Sequence, residues 1–250
     1  MAGTIFVPPR GGDDCQQPRV YRACRARGAQ EVALIPNGVD AAMFARGDGR
    51  AFRERHHLEG KFVILYAGAH GMSNDLDVVL DAAKMLLDTP RIHFVLLGDG
   101  KEKPRLQVRA EAEGISNVLF LPSLPKQGMP DALAGADACL AILKPIEAYK
   151  TTYPNKVFDY MAAGKPVLLA IDGVIREVVE AADAGLFVPP GNAEALAAAA
   201  RTLSEDEAAA REMGARGRTY IQAHFDRKHI AENFEKLLRR YTTPRQEEDS

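Results

Sequence analysis

The chain has 250 residues, with 32 Lys and Arg against 34 Asp and Glu, a formal net charge of −2. That length allows one large or two small domains with a substantial buried core. The charge balance excludes a global basic field that would draw nucleic acid or an anionic membrane, and no apolar stretch approaches the roughly 20 residues of a membrane helix.

Residues 1–30 contain Pro-Pro, Gly-Gly and Gln-Gln pairs and little period, so they read as a poorly ordered lead-in. From Glu31 the pattern becomes regular. Residues 32–35 form a short apolar strand stopped by Pro36-Asn37-Gly38, a turn signal. Residues 62–67 (FVILYA) are a fully apolar run of strand length, followed by Gly68-Ala69-His70-Gly71 and then by Ser73 and Asn74, both good N-cap residues. Leu76, Val79, Leu80, Ala83 and Leu87 have the spacing of one helix face.

The alternation continues with a strand at 92–97 closed by Gly98-Asp99-Gly100, then a helix over about 104–113 with Gly114 as its C-terminal cap. A strand at 118–121, a short helix at 131–134 and a strand at 138–143 follow. Residues 155–163 read as a helix with Pro154 at its start and Gly164 at its end. After a strand at 167–170, a helix at 175–182 and a strand at 186–188, three helical stretches close the chain at 193–203, about 206–222 and about 227–241, leaving 242–250 as a disordered tail. In the last helix Ile230, Phe234, Leu237 and Tyr241 share a face, expected to pack on the same domain, the alternative being an exposed apolar stripe.

Mostly unbroken apolar strands alternating with amphipathic helices predict an α/β fold, a Rossmann-like parallel sheet covered by helices on both faces. Ligands in such sheets bind outside the carboxyl ends of the strands, so the chemistry is expected in the loops after Ala67, Leu97, Leu121, Leu143 and Ala170. The three cysteines, Cys15, Cys24 and Cys139, make no CxxC and no His/Cys cluster, which argues against a disulfide framework or a metal site and fits a reducing cytoplasm.

Two segments carry candidate chemistry. In 68–73 (GAHGMS) the glycines let backbone approach a ligand and the helix start favours an anion; glycines used only for turn geometry would look the same. In 154–166 (PNKVFDYMAAGKP) Lys156 and Asp159 fall on one helix face near its N-terminus. A lysine there suits a diphosphate, because side chain and helix dipole have the same sign. A carboxylate one turn on can accept hydrogen bonds from both hydroxyls of a ribose. The bland alternative is a surface ion pair between the two.

From Glu31 to about Tyr241 the chain resembles the C-terminal, donor-binding domain of family 4 (group 1) GT-B glycosyltransferases. The resemblance is carried in order by IPNGVDAAMF (35–44), VLLGDGKEKPRL (95–106), NKVFDYMAAGKPVL (155–168) and DGVIREVVEAADAGLFVPPGNAEALAAA (172–199). The PxKxxxYMAxGKP wording and the GxHG loop look most like the fucosamine-transferase branch of O-antigen and capsule enzymes. The resemblance implies transfer of a hexose, with retention, from a nucleoside-diphosphate sugar (UDP-linked) to a glycan or lipid-linked acceptor, with no metal or other cofactor.

It also implies roles. Asp159 takes the ribose. Lys156 sits at the diphosphate and stabilises the leaving group. The backbone of His70, Gly71 and Met72 faces the phosphates, the backbone around Ser123 and Leu124 reads the base edge, and Glu177 matches a family glutamate one residue late. Thr151 stands where the family has a glutamate, and the first loop lacks the family's Arg and Lys. Residues 1–30 are too few for the acceptor-binding domain, which needs about 100 residues. The sequence reading is therefore a truncated product or isolated domain, needing an acceptor-binding domain or subunit, cytoplasmic or peripheral at the inner membrane. The alternatives are a nucleotide-binding module without catalysis, and a nicotinamide-dependent dehydrogenase, which would need a GxGxxG that GAHGMS does not supply.

Overall fold

The apolar runs become six parallel strands: β1 (Phe62–Ala67), β2 (Ile92–Leu97), β3 (Val118–Leu121), β4 (Ala138–Ile142), β5 (Val167–Ala170) and β6 (Gly185–Phe187). They form one sheet in the order β3-β2-β1-β4-β5-β6. The computed structural model describes residues 24–29, 32, 33, 35 and 37–242. The helices are α1 (Ala41–Phe44), α2 (Arg50–Arg55), α3 (Leu76–Met85), α4 (Lys103–Ala112), α5 (Met129–Ala134), α6 (Asn155–Ala162), α7 (Val174–Ala181), α8 (Ala193–Glu205), α9 (Glu207–His224) and α10 (Arg227–Thr242).

Every residue of β1, β4 and β5 is buried because helices cover both sides of the sheet. Alternation along β1 sends Val63, Leu65 and Ala67 into one core with α1, α2, α5, α6 and α7. Phe62, Ile64 and Tyr66 enter the other, with α3, α4 and α8. Local signals bound several helices. Asn192 accepts from the Ala195 amide to start α8, and Asp206 accepts from that of Ala209 to start α9. Gly164, at φ +69°, ends the turn after α6.

The departures from the sequence reading have physical causes. Among the described residues of 32–35 there is no strand. Val32 and Ala33 are buried instead, and the following chain is tied down at Val39, which bridges to Asp226 between α9 and α10. Ser73 and Asn74 do not cap α3: they lie in a 3-10 turn, Met72–Asn74, and Asp75 occupies the N-cap in a left-handed conformation without capping through its side chain. Ser73 Oγ is engaged elsewhere, accepting from the Tyr149 hydroxyl at 2.8 Å. Because α3 stops at Met85, Leu86 folds into the core and Leu87 is left 38% exposed.

The final helix departs most. No described residue of α10 is buried, and Phe234 and Leu238 are 44% and 47% exposed. Of the expected face, Ile230 and Leu237 are half-buried, with Ile230 lying over Gly38, while Phe234 stays open, so its packing on this domain is made only in part. A periodic stripe shows that a helix has an apolar face, and says nothing of whether anything covers it. The predicted lead-in over 1–30 and tail over 242–250 fall largely outside the described residues; within them, residues 24–26 are helical.

Candidate functional site

The strand order reverses between β1 and β4, where a doubly wound sheet opens a crevice at its carboxyl edge. These two strands pair only at Ile64–Ala138 and Leu65–Cys139. Beyond that point Tyr160 of α6 takes over, accepting from the Ala67 amide at 2.9 Å and donating to the Ala67 carbonyl at 3.2 Å. Beside this splay lies a cavity of about 360 Å³, walled by the ends of β1 and β2, the loop after β3, and one face of α6.

The wall contributed by β1 and β2 is backbone locked to backbone. The Gly68 amide donates to Leu97 O at 2.9 Å, the His70 amide to Asp99 O at 2.7 Å, and the Glu102 amide to His70 O at 3.0 Å. Gly98, at φ +148°, permits this approach: a Cβ there would lie 1.9 Å from the Gly68 carbonyl oxygen. Lys103 closes the neighbouring strand ends, donating to Gly98 O at 2.8 Å and Leu121 O at 2.9 Å, so its charge is held in the fold.

Two charged side chains line the cavity from α6, Lys156 and Asp159. They make no ion pair with each other, and among the described residues neither has a hydrogen-bond partner. Burial alone pulls the Lys156 ammonium down to about 8. Burial raises the Asp159 carboxyl to about 6, against the opposing pull of Lys126 and Arg227. An unpaired cation and an unpaired acid, each desolvated and one helical turn apart, are suited to a ligand bearing an anion and hydrogen-bond donors.

Ser123 and Leu124 also line this cavity. The remaining sequence candidates do not. His70 is fully buried behind the loop, its ring between Tyr66 and Phe120 at 6.0 and 6.2 Å, with neither ring nitrogen hydrogen-bonded. Desolvation lowers it to about 4, with Lys103 and Lys156 adding to the effect and Asp99 opposing it. Its backbone amide is already committed to Asp99, so it is not available to a phosphate. Gly71 and Met72 lie outside the cavity wall, Met72 with 72% exposure. The reason is that the chain turns toward β2 directly after Ala67, so the residues of this loop that reach the cavity are Gly68 and Ala69.

Glu177 is exposed on the first turn of α7 and outside the wall. Thr151 and Glu147 belong to an exposed 3-10 turn, Glu147–Thr151, where Glu147 pairs with Lys150. Asp99, Met129 and Tyr160, which sequence reasoning missed, complete the cavity. The strand-end rule could have found Asp99, and Tyr160 shares a helix face with Lys156 four residues earlier. Met129 carries no such signal. Among the described residues no group of three or more His, Cys, Asp or Glu could hold a metal, and no helix is long and apolar enough to cross a membrane.

Residues 48–220 match the family described as glycosyl transferases group 1. The chain belongs to this family. The group 1 domain is 30% identical over 203 residues to the putative colanic acid biosynthesis glycosyl transferase WcaI of Escherichia coli, covering 71% of this chain and 49% of that protein. The chain thus spans about half the length of WcaI. Among solved structures, Anabaena HepE in complex with UDP superposes with a TM-score of 0.76 at 21% identity, over 87% of this chain and 60% of that one. The C-terminal domain of a group 1 glycosyl transferase, LpcC of Francisella tularensis, is matched along 100% of its length and 76% of this chain, with a TM-score of 0.66 at 16% identity. At these identities the structures establish a shared GT-B fold, a six-stranded parallel sheet with helices around it.

Proposed function

We propose that this group 1 domain is the donor half of a retaining hexosyltransferase that uses a UDP-sugar. The observation that carries the reading is the pair of unpaired, desolvated side chains, Lys156 and Asp159, opening from one face of α6 into the cavity at the sheet's carboxyl edge. In this reading Lys156 meets the diphosphate and Asp159 accepts from the ribose hydroxyls. Ser123 and Leu124 face the base. The fold shared with a UDP complex of HepE supports the choice of nucleotide. The resemblance of 154–166 to the fucosamine-transferase branch supports a hexose donor.

As the glycosidic bond breaks, its electron pair passes to the diphosphate oxygen and negative charge grows there. A cation already in place, with little water to reorganise, stabilises that charge more than the ground state. Lys156 is the group positioned for this role, and the chemistry needs no metal from the protein. The acceptor is a glycan or lipid-linked glycan, held by a second domain or subunit; the chain's span of 49% of WcaI supports that division.

Isothermal titration with UDP tests the reading. Wild type is expected to bind saturably, and Lys156→Ala and Asp159→Ala to lose most of that binding while keeping the wild-type circular dichroism spectrum. A folded wild type that does not bind UDP, or two variants that bind as tightly as wild type, would refute it.

A further inference from the structure

Lys156 presents a geometric problem. A desolvated ammonium without an acceptor has no reason to keep one rotamer, and Asp159 stands one turn along the same helix face, within reach of a neutralising ion pair. Yet the two remain apart. The group that faces the ammonium is the ring of Tyr66, with Lys156 Nζ 4.1 Å from the ring centroid. An aromatic face attracts a cation through its quadrupole and carries no net charge, so the cation stays uncompensated. A carboxylate in the same place would cancel it.

The ring itself is fixed. Tyr66 is fully buried on β1, in the same core as Phe94, Leu96 and Ile142, and its hydroxyl donates to Ala69 O at 2.7 Å. Burial also holds the phenol well above its ordinary range, so no phenolate competes for the ammonium. Gly68 leaves room for both groups: a Cβ there would lie 2.6 Å from Lys156 Nζ and 3.2 Å from the Tyr66 hydroxyl. The other half-buried cation nearby, Lys103, is spent on two backbone carbonyls.

The geometry points to Tyr66 as a positioning residue whose ring face holds the Lys156 ammonium toward the cavity, charged and uncompensated, for an incoming diphosphate. This rests on the donor-site reading above. It goes beyond that reading in assigning a role to a core tyrosine outside the cavity wall. Without the ring, the ammonium is free to turn to Asp159, and one movement would disable both ligand contacts.

Two measurements on the full chain test it. In ¹³C-lysine NMR of the nucleotide-free protein, the ring current should shift the Lys156 Cε methylene protons upfield, with Lys156→Met supplying the assignment. The shift should persist in Tyr66→Phe and vanish in Tyr66→Leu. In titrations with UDP, Tyr66→Phe should bind within about twofold of wild type and Tyr66→Leu about tenfold more weakly. A wild-type methylene at its ordinary position overturns the proposal whether or not UDP binds, and so does a Tyr66→Phe loss as large as that of Tyr66→Leu. A shifted methylene in a wild type that does not bind UDP refutes the donor-site reading and still supports the hold on Lys156. The methylene measurement on wild type needs no Tyr66 variant to fold.

Discussion

Replacing Lys156 by methionine should make the free protein more stable while destroying its binding of nucleotide. Methionine keeps the unbranched stem that lies along the cavity wall and removes the charge. Desolvation pulls the lysine from the ordinary 10.5 to about 8, a drop that corresponds to about 3 kcal/mol of cost for holding it charged in the folded state. The Tyr66 ring returns about 1 kcal/mol of that. The variant should therefore gain about 2 kcal/mol at pH 7, read by urea denaturation with linear extrapolation.

The pH dependence fixes the sign. Below pH 8 the ammonium is charged in folded and unfolded chains alike, and the full cost is present. Between about 8 and 10.5 the folded chain has released the proton that the unfolded chain still holds, so wild-type stability rises with pH relative to the variant. Above 10.5 the gap closes. A Lys156→Met protein less stable than wild type at pH 7, or a gap independent of pH, would mean that the lysine is engaged in a stabilising contact and would refute the reasoning.

Asp159 runs the opposite way: its carboxyl is raised from 3.8 to about 6, so wild-type stability should fall as pH rises from about 4 to about 6 relative to Asp159→Asn, again by urea denaturation. UDP affinity should weaken below pH 6 in wild type more than in Asp159→Asn, a comparison in which the nucleotide's own titration cancels. Gly98→Ala drives a Cβ to 1.9 Å from the Gly68 carbonyl oxygen and strains a positive-φ residue; it should cost about 3 kcal/mol or more and broaden the NMR signals of both loops. On α10, Phe234→Ser and Leu238→Ser should each change stability by less than about 0.5 kcal/mol in thermal scans, because both side chains are nearly half exposed and neither belongs to the buried core. A loss of about 2 kcal/mol there would show that these two side chains are covered.

The order of strands and helices along the chain was legible because it is written in local periods. Runs such as FVILYA are buried on both sides, and Pro154 and Gly164 mark the ends of α6 in backbone terms that need no tertiary context. Lys156 and Asp159 were visible as a pair for the same reason, since i,i+3 spacing on a helix places them on one face. Their freedom from each other was not visible, for it depends on Tyr66, which belongs to a strand ninety residues earlier. The placing of His70 inside the fold, and of Gly68 and Ala69 at the cavity, was decided by the seam of hydrogen bonds between the β1 and β2 loops. That seam forms only when the two strands lie side by side. The partly exposed stripe of α10 has the same lesson: period reveals an apolar face, and only the three-dimensional arrangement of the other elements decides how much of it is covered.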